Sequence, residues 1–202
     1  MREKRIAVIG GAGSFGQSLV RGLLETTDCH VVICGRSRDN AVAFARTLRA
    51  PERVSVAFLD RTRVSAAGVL ALNVFCVVDA AGPFQGSAYT FAQAAIEAGV
   101  HYIDLADARD FVAGFGSLDE VAKARGVLAV TGASTTPALT QAVLDELCRG
   151  WKRVDSVEIA LSPGAQAAMG LAVVRAILSY AGRPVNVWRF GRWDTAPGWG
   201  LL

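Results

Sequence analysis

Several features that would place this protein in a specialised class are missing from its sequence. Hydrophobic residues make up 52% of the 202 residues, yet no stretch approaches the roughly 18–20 uninterrupted apolar residues of a membrane span. The N-terminus has no apolar segment followed by a small-residue cleavage site, so we expect a cytoplasmic protein. A net charge of +3 is too small to indicate a nucleic-acid-binding protein.

Cysteine and histidine are also scarce, which removes the common metal-binding arrangements. The two histidines, His30 and His101, each stand at the start of a predicted strand, away from the strand ends where α/β proteins bind ligands. The four cysteines are widely spaced, with no Cys-x-x-Cys pair, and we interpret them as buried small hydrophobic residues. No metal site is predicted.

The first two thirds of the chain alternate short apolar runs with helical patterns. Strands are predicted at residues 6–9, 30–34, 54–59, 74–78, 102–105 and 127–130, and helices at 15–25, 40–48, 63–72, 87–98 and 119–125. Such alternation implies right-handed crossovers and a parallel sheet covered on both faces. The sequence therefore predicts an α/β fold with a doubly wound parallel sheet, of the Rossmann type.

The pattern changes after Gly132, and we predict two domains, residues 1–134 and residues 135–202. The second region is expected to hold helices at 137–148 and 170–180, a strand at 155–161 and a hairpin at 185–195 that turns at Gly191. This short α+β region looks like an incomplete second domain. Its aromatic residues predict a homodimer formed through this region, although packing onto the first domain is the alternative. These residues are Trp188, Phe190, Trp193 and Trp199.

A glycine-rich turn directly follows the first predicted strand and opens the first helix. Gly11, Gly13 and Gly16 have the Gly-x-Gly-x-x-Gly spacing, which gains meaning from this strand-to-helix context. We expect Gly11 to allow the tight turn, Gly13 to let the backbone approach a pyrophosphate, and Gly16 to let the helix pack closely. The predicted cofactor-binding residues here are Gly10, Gly11, Gly13, Ser14, Phe15 and Gly16.

The end of the second strand favours NADP over NAD. NAD-binding domains usually carry a carboxylate about 20 residues past the glycines, whereas this chain has Arg36 and Ser37 there. A guanidinium beside a hydroxyl matches the 2′-phosphate of NADP by charge and hydrogen bonding. Asp60 ends the third strand and is predicted either beside the adenine or as the N-cap of the next helix.

Polar and small residues follow strands four and five at the carboxyl edge of the sheet, where ligands bind. The segment Ala80, Ala81, Gly82, Pro83 is predicted to lie against the nicotinamide ribose. Candidates for substrate contact or proton transfer are Asp104, Asp107, Arg109 and Asp110, although each aspartate could instead be a turn or cap residue. No Tyr-x-x-x-Lys pair, which serves short-chain dehydrogenases, is present.

Several of these segments together resemble the NADP-binding domain of the saccharopine dehydrogenase-like family. The resemblance lies in residues 10–16, 35–37, 79–84 and 102–107, and the loop at 132–139 resembles the one that leads into that family's second domain. It implies a two-domain NADP-dependent oxidoreductase, in a family that includes an imine-reducing saccharopine reductase and enzymes acting on lipid-linked substrates. Family members are usually much longer, so the substrate is not implied.

Three functions remain open at this point. The first is an NADP-dependent oxidoreductase of saccharopine dehydrogenase type, or its cofactor-binding portion, which transfers hydride to or from an imine or carbonyl. The second is a non-catalytic NADP(H)-binding module that regulates a partner or senses redox state. The third is a Rossmann-like domain for another nucleotide. Hydride chemistry belongs to the cofactor, so the residues alone do not separate the first two.

Overall fold

A computed structural model describes residues 4–162 and 171–200 of the chain. The first region contains β1 (Arg5–Ile9), α1 (Ser14–Thr26), β2 (His30–Gly35), α2 (Arg38–Ala45), β3 (Val54–Phe58), α3 (Ala66–Leu70), β4 (Cys76–Asp79), α4 (Thr90–Glu97), β5 (His101–Asp104), α5 (Arg109–Gly114), α6 (Asp119–Arg125) and β6 (Ala129–Val130). The later elements are α7 (Thr140–Leu147), α8 (Leu171–Leu178), β7 (Pro184–Arg189) and β8 (Arg192–Pro197).

The six strands β1–β6 form one parallel sheet in the order β3-β2-β1-β4-β5-β6. The order reverses between β1 and β4, which leaves a crevice at their carboxyl ends. Ile9 pairs in register with Cys34 on one side and with Asp79 on the other. The glycine turn and the segment after β4 therefore leave the sheet side by side. The predicted doubly wound Rossmann fold is confirmed.

Alternation along the strands supplies two apolar layers, one on each face of the sheet. Ala7 and Ile9 face one layer, whereas Ile6 and Val8 face the other. The larger layer contains a group of interacting aromatic rings, namely Phe84, Tyr89, Phe91, Tyr102, Phe111 and Phe115. This packing holds α4, α5 and the loop after β4 against the sheet.

Some predicted boundaries are wrong. The helix predicted at 63–72 is shortened to α3, which Ser65 begins as a cap by accepting a hydrogen bond from the Gly68 amide. The helix α5 was not predicted. The strand predicted at 155–161 is also wrong, because residues 153–162 form no regular element. Their alternating apolar side chains are exposed and no described strand pairs with them, and an unpaired strand has no ladder to stabilise it.

The predicted hairpin is confirmed as β7 and β8. Phe190 and Gly191 both take left-handed backbone conformations, with φ of 52° and 75°, which suits a two-residue turn between antiparallel strands. Arg109 ties the hairpin to the first region because its Nη1 donates to the Asn186 carbonyl at 2.9 Å. Gly170, the predicted first residue of the next helix, lies outside the described residues. The division into two domains stays a prediction.

Within residues 4–162 and 171–200, no helix is long and apolar enough to cross a membrane.

Candidate functional site

The turn after β1, residues 10–13, and the start of α1 contain glycines whose positions leave no room for a Cβ, and we call this turn the glycine cradle. Gly10 has a φ of +74°, and a Cβ there would lie 3.0 Å from the Cβ of Ala81. A Cβ on Gly16 would lie 2.6 Å from the Gly11 Cα and would collide with the Gly10 carbonyl oxygen. Gly10 takes a left-handed backbone conformation, and a Cβ on Gly11, the glycine predicted to allow the tight turn, would lie 2.9 Å from the Val8 carbonyl oxygen. The absence of a side chain at Gly16 lets α1 pack against the turn.

The N-terminus of α1 faces this cradle with its backbone amides available. Its N-cap residue, Gly13, makes no side-chain hydrogen bond, and no acidic residue occupies the first turn. Ser14 and Phe15 are exposed. The first amides of a helix have no intrahelical acceptor and sit at the positive end of its dipole. An anionic group such as a pyrophosphate would accept hydrogen bonds from these amides and would interact favourably with the positive end of the dipole.

A cavity of about 480 Å³ extends from the cradle across the ends of β2 and β3. Its walls bring together Arg36, Ser37 and Asp60, the residues predicted for the adenosine end of the cofactor, and they add Asn40, Arg61 and Thr62. Part of the glycine turn and of the segment predicted beside the nicotinamide ribose also line it, namely Gly10, Gly13, Ala81, Gly82 and Pro83. Arg36 is exposed, so its guanidinium is free to meet an incoming phosphate. Ser37 caps α2 by accepting from the Asn40 amide at 3.3 Å.

Asp60 lines this cavity and does not cap the next helix. Its Oδ1 accepts hydrogen bonds from the Thr62 hydroxyl at 2.7 Å and the Thr62 amide at 3.0 Å. These two hydrogen bonds hold the pKa of Asp60 below its ordinary value, and the one from the hydroxyl has the larger effect. Because Ser65 caps α3, the alternative prediction of Asp60 as an N-cap is wrong. Asp60 is an ionised acceptor at the rim of the cavity.

Arg61 is a residue of this cavity that sequence reasoning missed. It follows β3, yet its Nε lies 3.3 Å from Oδ2 of Asp79 at the end of β4. Its Nη1 donates to the Ala81 carbonyl, and its guanidinium lies 4.8 Å from the centre of the Phe84 ring. The side chain thus links the end of β3 to the loop after β4 and fixes that loop in place. A lone arginine after a strand carries no sequence signal for such a role.

Asp79 is the buried partner in this link. Its side chain is 1% exposed, and its Oδ1 accepts from the Ala81 amide at 3.0 Å. Burial raises the pKa of Asp79 to about 6, although Arg61 and the Ala81 amide oppose the rise. Asp104 lies near enough to raise it further. The pKa of Asp79 is therefore a balance between burial, which raises it, and the contacts with Arg61 and the Ala81 amide, which lower it.

A second cavity of about 490 Å³ adjoins the first and shares Gly10, Gly13, Ala81, Gly82 and Pro83 with it. The remaining described lining residues are Ser14, Phe15, Ala80, Phe84, Leu105, Asp107, Ala133, Ser134, Thr135, Leu139, Ala176 and Ile177. The two cavities form one crevice along the carboxyl edge of the sheet, with the glycine cradle between them. This shape suits an extended two-ended ligand.

The structure places the four candidate residues after β5 in different surroundings. Asp107 lines the second cavity, where its Oδ1 accepts from Gln85 Nε2 at 3.3 Å. Asp104 is fully buried, and its Oδ1 accepts hydrogen bonds from the protein. The donors are the Ala106 amide, the Gly132 amide and the Thr131 hydroxyl, at 3.0, 2.9 and 2.9 Å. Arg109 contacts the hairpin, and Asp110 is exposed in the first turn of α5.

Asp104 and Asp79 also affect a buried tyrosine. Tyr102 is 1% exposed, and burial, together with the two carboxylates, raises the pKa of its phenol well above its ordinary value. The phenol therefore stays protonated and packs among the aromatic rings of the core. Of the candidate acids and bases, Asp107 is the one that the structure places on a cavity wall.

Comparisons with known proteins agree with this geometry. The family model for the saccharopine dehydrogenase NADP binding domain matches residues 6–147. A sequence search finds no match among curated proteins. Biliverdin reductase from Synechocystis sp. PCC 6803, solved with biliverdin and NADP+, has 20% identity and a TM-score of 0.50, over 71% of this chain and 42% of its own.

Two further solved structures have a similar core. The complex of Gre2 with NADPH from Candida albicans has 17% identity and a TM-score of 0.42, over 50% of this chain and 36% of its own. Yeast methylglyoxal/isovaleraldehyde reductase Gre2 with NADPH has 16% identity and a TM-score of 0.41, over the same shares. At these identities the likeness shows the fold alone. The chain spans less than half the length of each of these three proteins.

Proposed function

Because the chain belongs to the saccharopine dehydrogenase family through its NADP-binding domain, we propose that it serves hydride transfer between NADP(H) and an imine or carbonyl substrate. Its cofactor is NADP, as predicted. The observation that carries the proposal is the continuous crevice at the point where the strand order reverses. One half of that crevice holds Arg36 and Ser37, and the other is mostly apolar.

The residues present fit NADP at each end of the crevice. The uncapped N-terminus of α1 and the space above Gly13 suit the pyrophosphate. Arg36 and Ser37 supply charge and hydrogen bonding for the 2′-phosphate. Ala80, Ala81 and the following turn form the shared wall beside the second cavity. When bound, the cofactor supplies the hydride.

The chain's own residues bind and orient the reactants. Phe15, Phe84 and Leu105 contribute apolar walls that exclude water from the second cavity. Asp107 is the side chain on that wall able to hold or accept a proton at its carboxylate. Arg61 fixes the wall between the cavities through Asp79 and the Ala81 carbonyl. Together these groups position a substrate beside the cofactor.

The direct test is the affinity of the chain for NADPH and NADH, measured by isothermal titration calorimetry with wild type and Arg36→Ala. A hydrogen bond to a charged group contributes about 1.5–3 kcal/mol, and Arg36 is exposed, so we expect the lower end, roughly a tenfold loss for NADPH. NADH affinity should hardly change. Arg38→Ala is the matched control, because Arg38 is exposed at the start of α2 outside the cavity. Equal losses for both nucleotides would contradict the assignment of Arg36.

A second candidate function is a non-catalytic NADP(H)-binding module. It is favoured by the scarcity of proton donors in the second cavity, where Asp107 is the one ionisable side chain among the described lining residues. This function predicts tight NADPH binding without NADPH oxidation across a panel of imines, aldehydes and ketones. Oxidation of NADPH with any of these substrates, abolished when the substrate is omitted, would favour the oxidoreductase.

We also propose that the hairpin mediates homodimer formation. Trp188, Phe190 and Trp193 are 60%, 97% and 69% exposed, and no other described strand pairs with β7 or β8. Exposed aromatic residues on a sheet with open edges favour pairing with a second copy. Light scattering at micromolar concentration should give a dimer mass, and Phe190→Asp should reduce it to the monomer mass. A monomer mass for wild type would remove this proposal.

A further inference from the structure

The second cavity carries charge of one sign only. Asp107 is ionisable, and none of the described residues that line the cavity is a lysine, arginine or histidine. A negatively charged group that entered this cavity would therefore meet a carboxylate and no cationic side chain of the lining.

Two arginines of the described residues, Arg61 and Arg109, make contacts elsewhere and do not line the second cavity. Arg61 is held by Asp79 and the Ala81 carbonyl beside the first cavity. Arg109 donates from its Nη1 to the Asn186 carbonyl in β7 and does not line the cavity. Neither is presented to a ligand in the second cavity as the structure stands.

The Asp107 carboxylate accepts a hydrogen bond from a neighbouring side chain, and most of the wall of the second cavity is apolar. Gln85 Nε2 donates to Asp107 Oδ1 at 3.3 Å, which leaves Oδ2 available to a ligand. Around it stand Phe15, Leu105 and Ile177. A carboxylate on a wall that is otherwise neutral and mostly apolar favours a donor or a cation and disfavours another anion, because charges of like sign repel.

From this arrangement we infer that the second cavity takes a substrate with an apolar body and a neutral or cationic polar group, such as an amine or iminium, that contacts Asp107. A substrate whose group at Asp107 is a carboxylate falls outside this class. The inference rests on the proposed function, because it assigns the second cavity to the substrate of the hydride transfer.

The test uses the full chain saturated with NADPH, whose nicotinamide ring is neutral, and three probes of similar length: n-hexylamine, 1-hexanol and adipate. Binding of each is measured by nuclear magnetic resonance titration. We expect hexylamine to bind at least roughly tenfold more tightly than adipate, with hexanol between them. Asp107→Asn should lower the hexylamine affinity to about that of hexanol, and Asp107→Lys should reverse the order in favour of adipate. Asp110→Asn, in the first turn of α5 and outside the cavity, should leave the order unchanged.

The possible results separate this inference from the function on which it rests. Adipate binding as tightly as hexylamine to the NADPH-saturated chain would overturn the inference and leave the cofactor assignment intact. The expected order without NADPH oxidation by hexanal and methylamine, which together form an imine, would support the inference and count against the oxidoreductase. Failure of NADPH itself to bind would overturn both.

Discussion

Replacing Arg61 by methionine tests whether the buried link between β3 and β4 stabilises the fold by neutralising Asp79. Methionine retains much of the apolar stem and removes the charge. The Asp79 carboxyl is 1% exposed and the Arg61 side chain 15%. Removing one partner of a buried ion pair leaves the other charge buried without a counter-charge, and this strongly destabilises the folded protein.

The magnitude and its pH dependence follow from the pKa of Asp79. That pKa lies at about 6 in the folded protein against an ordinary value of 3.8, which corresponds to about 3 kcal/mol. Since the folded value is raised, this group lowers stability as pH increases from about 4 to about 6, and its contribution is constant above that. Without Arg61 the pKa rises further, so the loss of stability continues to higher pH.

Urea unfolding of wild type and Arg61→Met at about pH 5 and about pH 8 measures this effect. At about pH 5, where Asp79 is mostly protonated in the folded state of both proteins, the difference due to charge should nearly vanish. At about pH 8 the variant should lose up to about 3 kcal/mol more than at about pH 5. Arg61→Met/Asp79→Asn should recover most of this pH-dependent loss. A loss that is equal at both pH values, or unaffected by Asp79→Asn, would refute the reasoning.

Three other substitutions have specific expected outcomes. Gly16→Ala places a Cβ 2.6 Å from the Gly11 Cα and should abolish NADPH binding or destabilise the fold, whereas Gly22→Ala, with open space around it in the same helix, should add about 0.5–1 kcal/mol of stability in urea unfolding. Asp104→Ala leaves two buried amides and one part-buried hydroxyl without an acceptor and should cost about 3–5 kcal/mol by the same assay; a loss below about 1 kcal/mol would contradict its structural role. Gly126→Ala, at a φ of +65°, should cost about 1 kcal/mol in thermal unfolding, and no loss would contradict the left-handed cap.

The cofactor half of the site could be predicted because its determinants are local in sequence. The glycine spacing, the residues at the end of β2 and the small residues after β4 each lie at a strand end that apolar patterning locates. A parallel sheet brings those ends to one edge, so order along the chain was enough to group Gly13, Arg36 and Ala81. The left-handed backbone conformation of Gly10 depends on which carbonyl faces which amide, and spacing does not encode that.

The rest of the site depends on contacts between distant segments. Arg61 and Asp79 meet only because the loops after β3 and β4 converge. Asp104 and Asp107 have similar positions in the sequence pattern, yet one is buried under the loop after β6 and the other lines a cavity. The strand predicted at 155–161 had a strand's alternation, but alternation does not supply a partner strand.

The most direct test of the central claim is a crystal structure of the chain with NADP+. The account predicts the pyrophosphate on the first amides of α1, the 2′-phosphate within hydrogen-bond distance of the Arg36 guanidinium, and the nicotinamide at the second cavity. A dinucleotide that lies away from the glycine cradle, or whose 2′-phosphate contacts solvent alone, would contradict it.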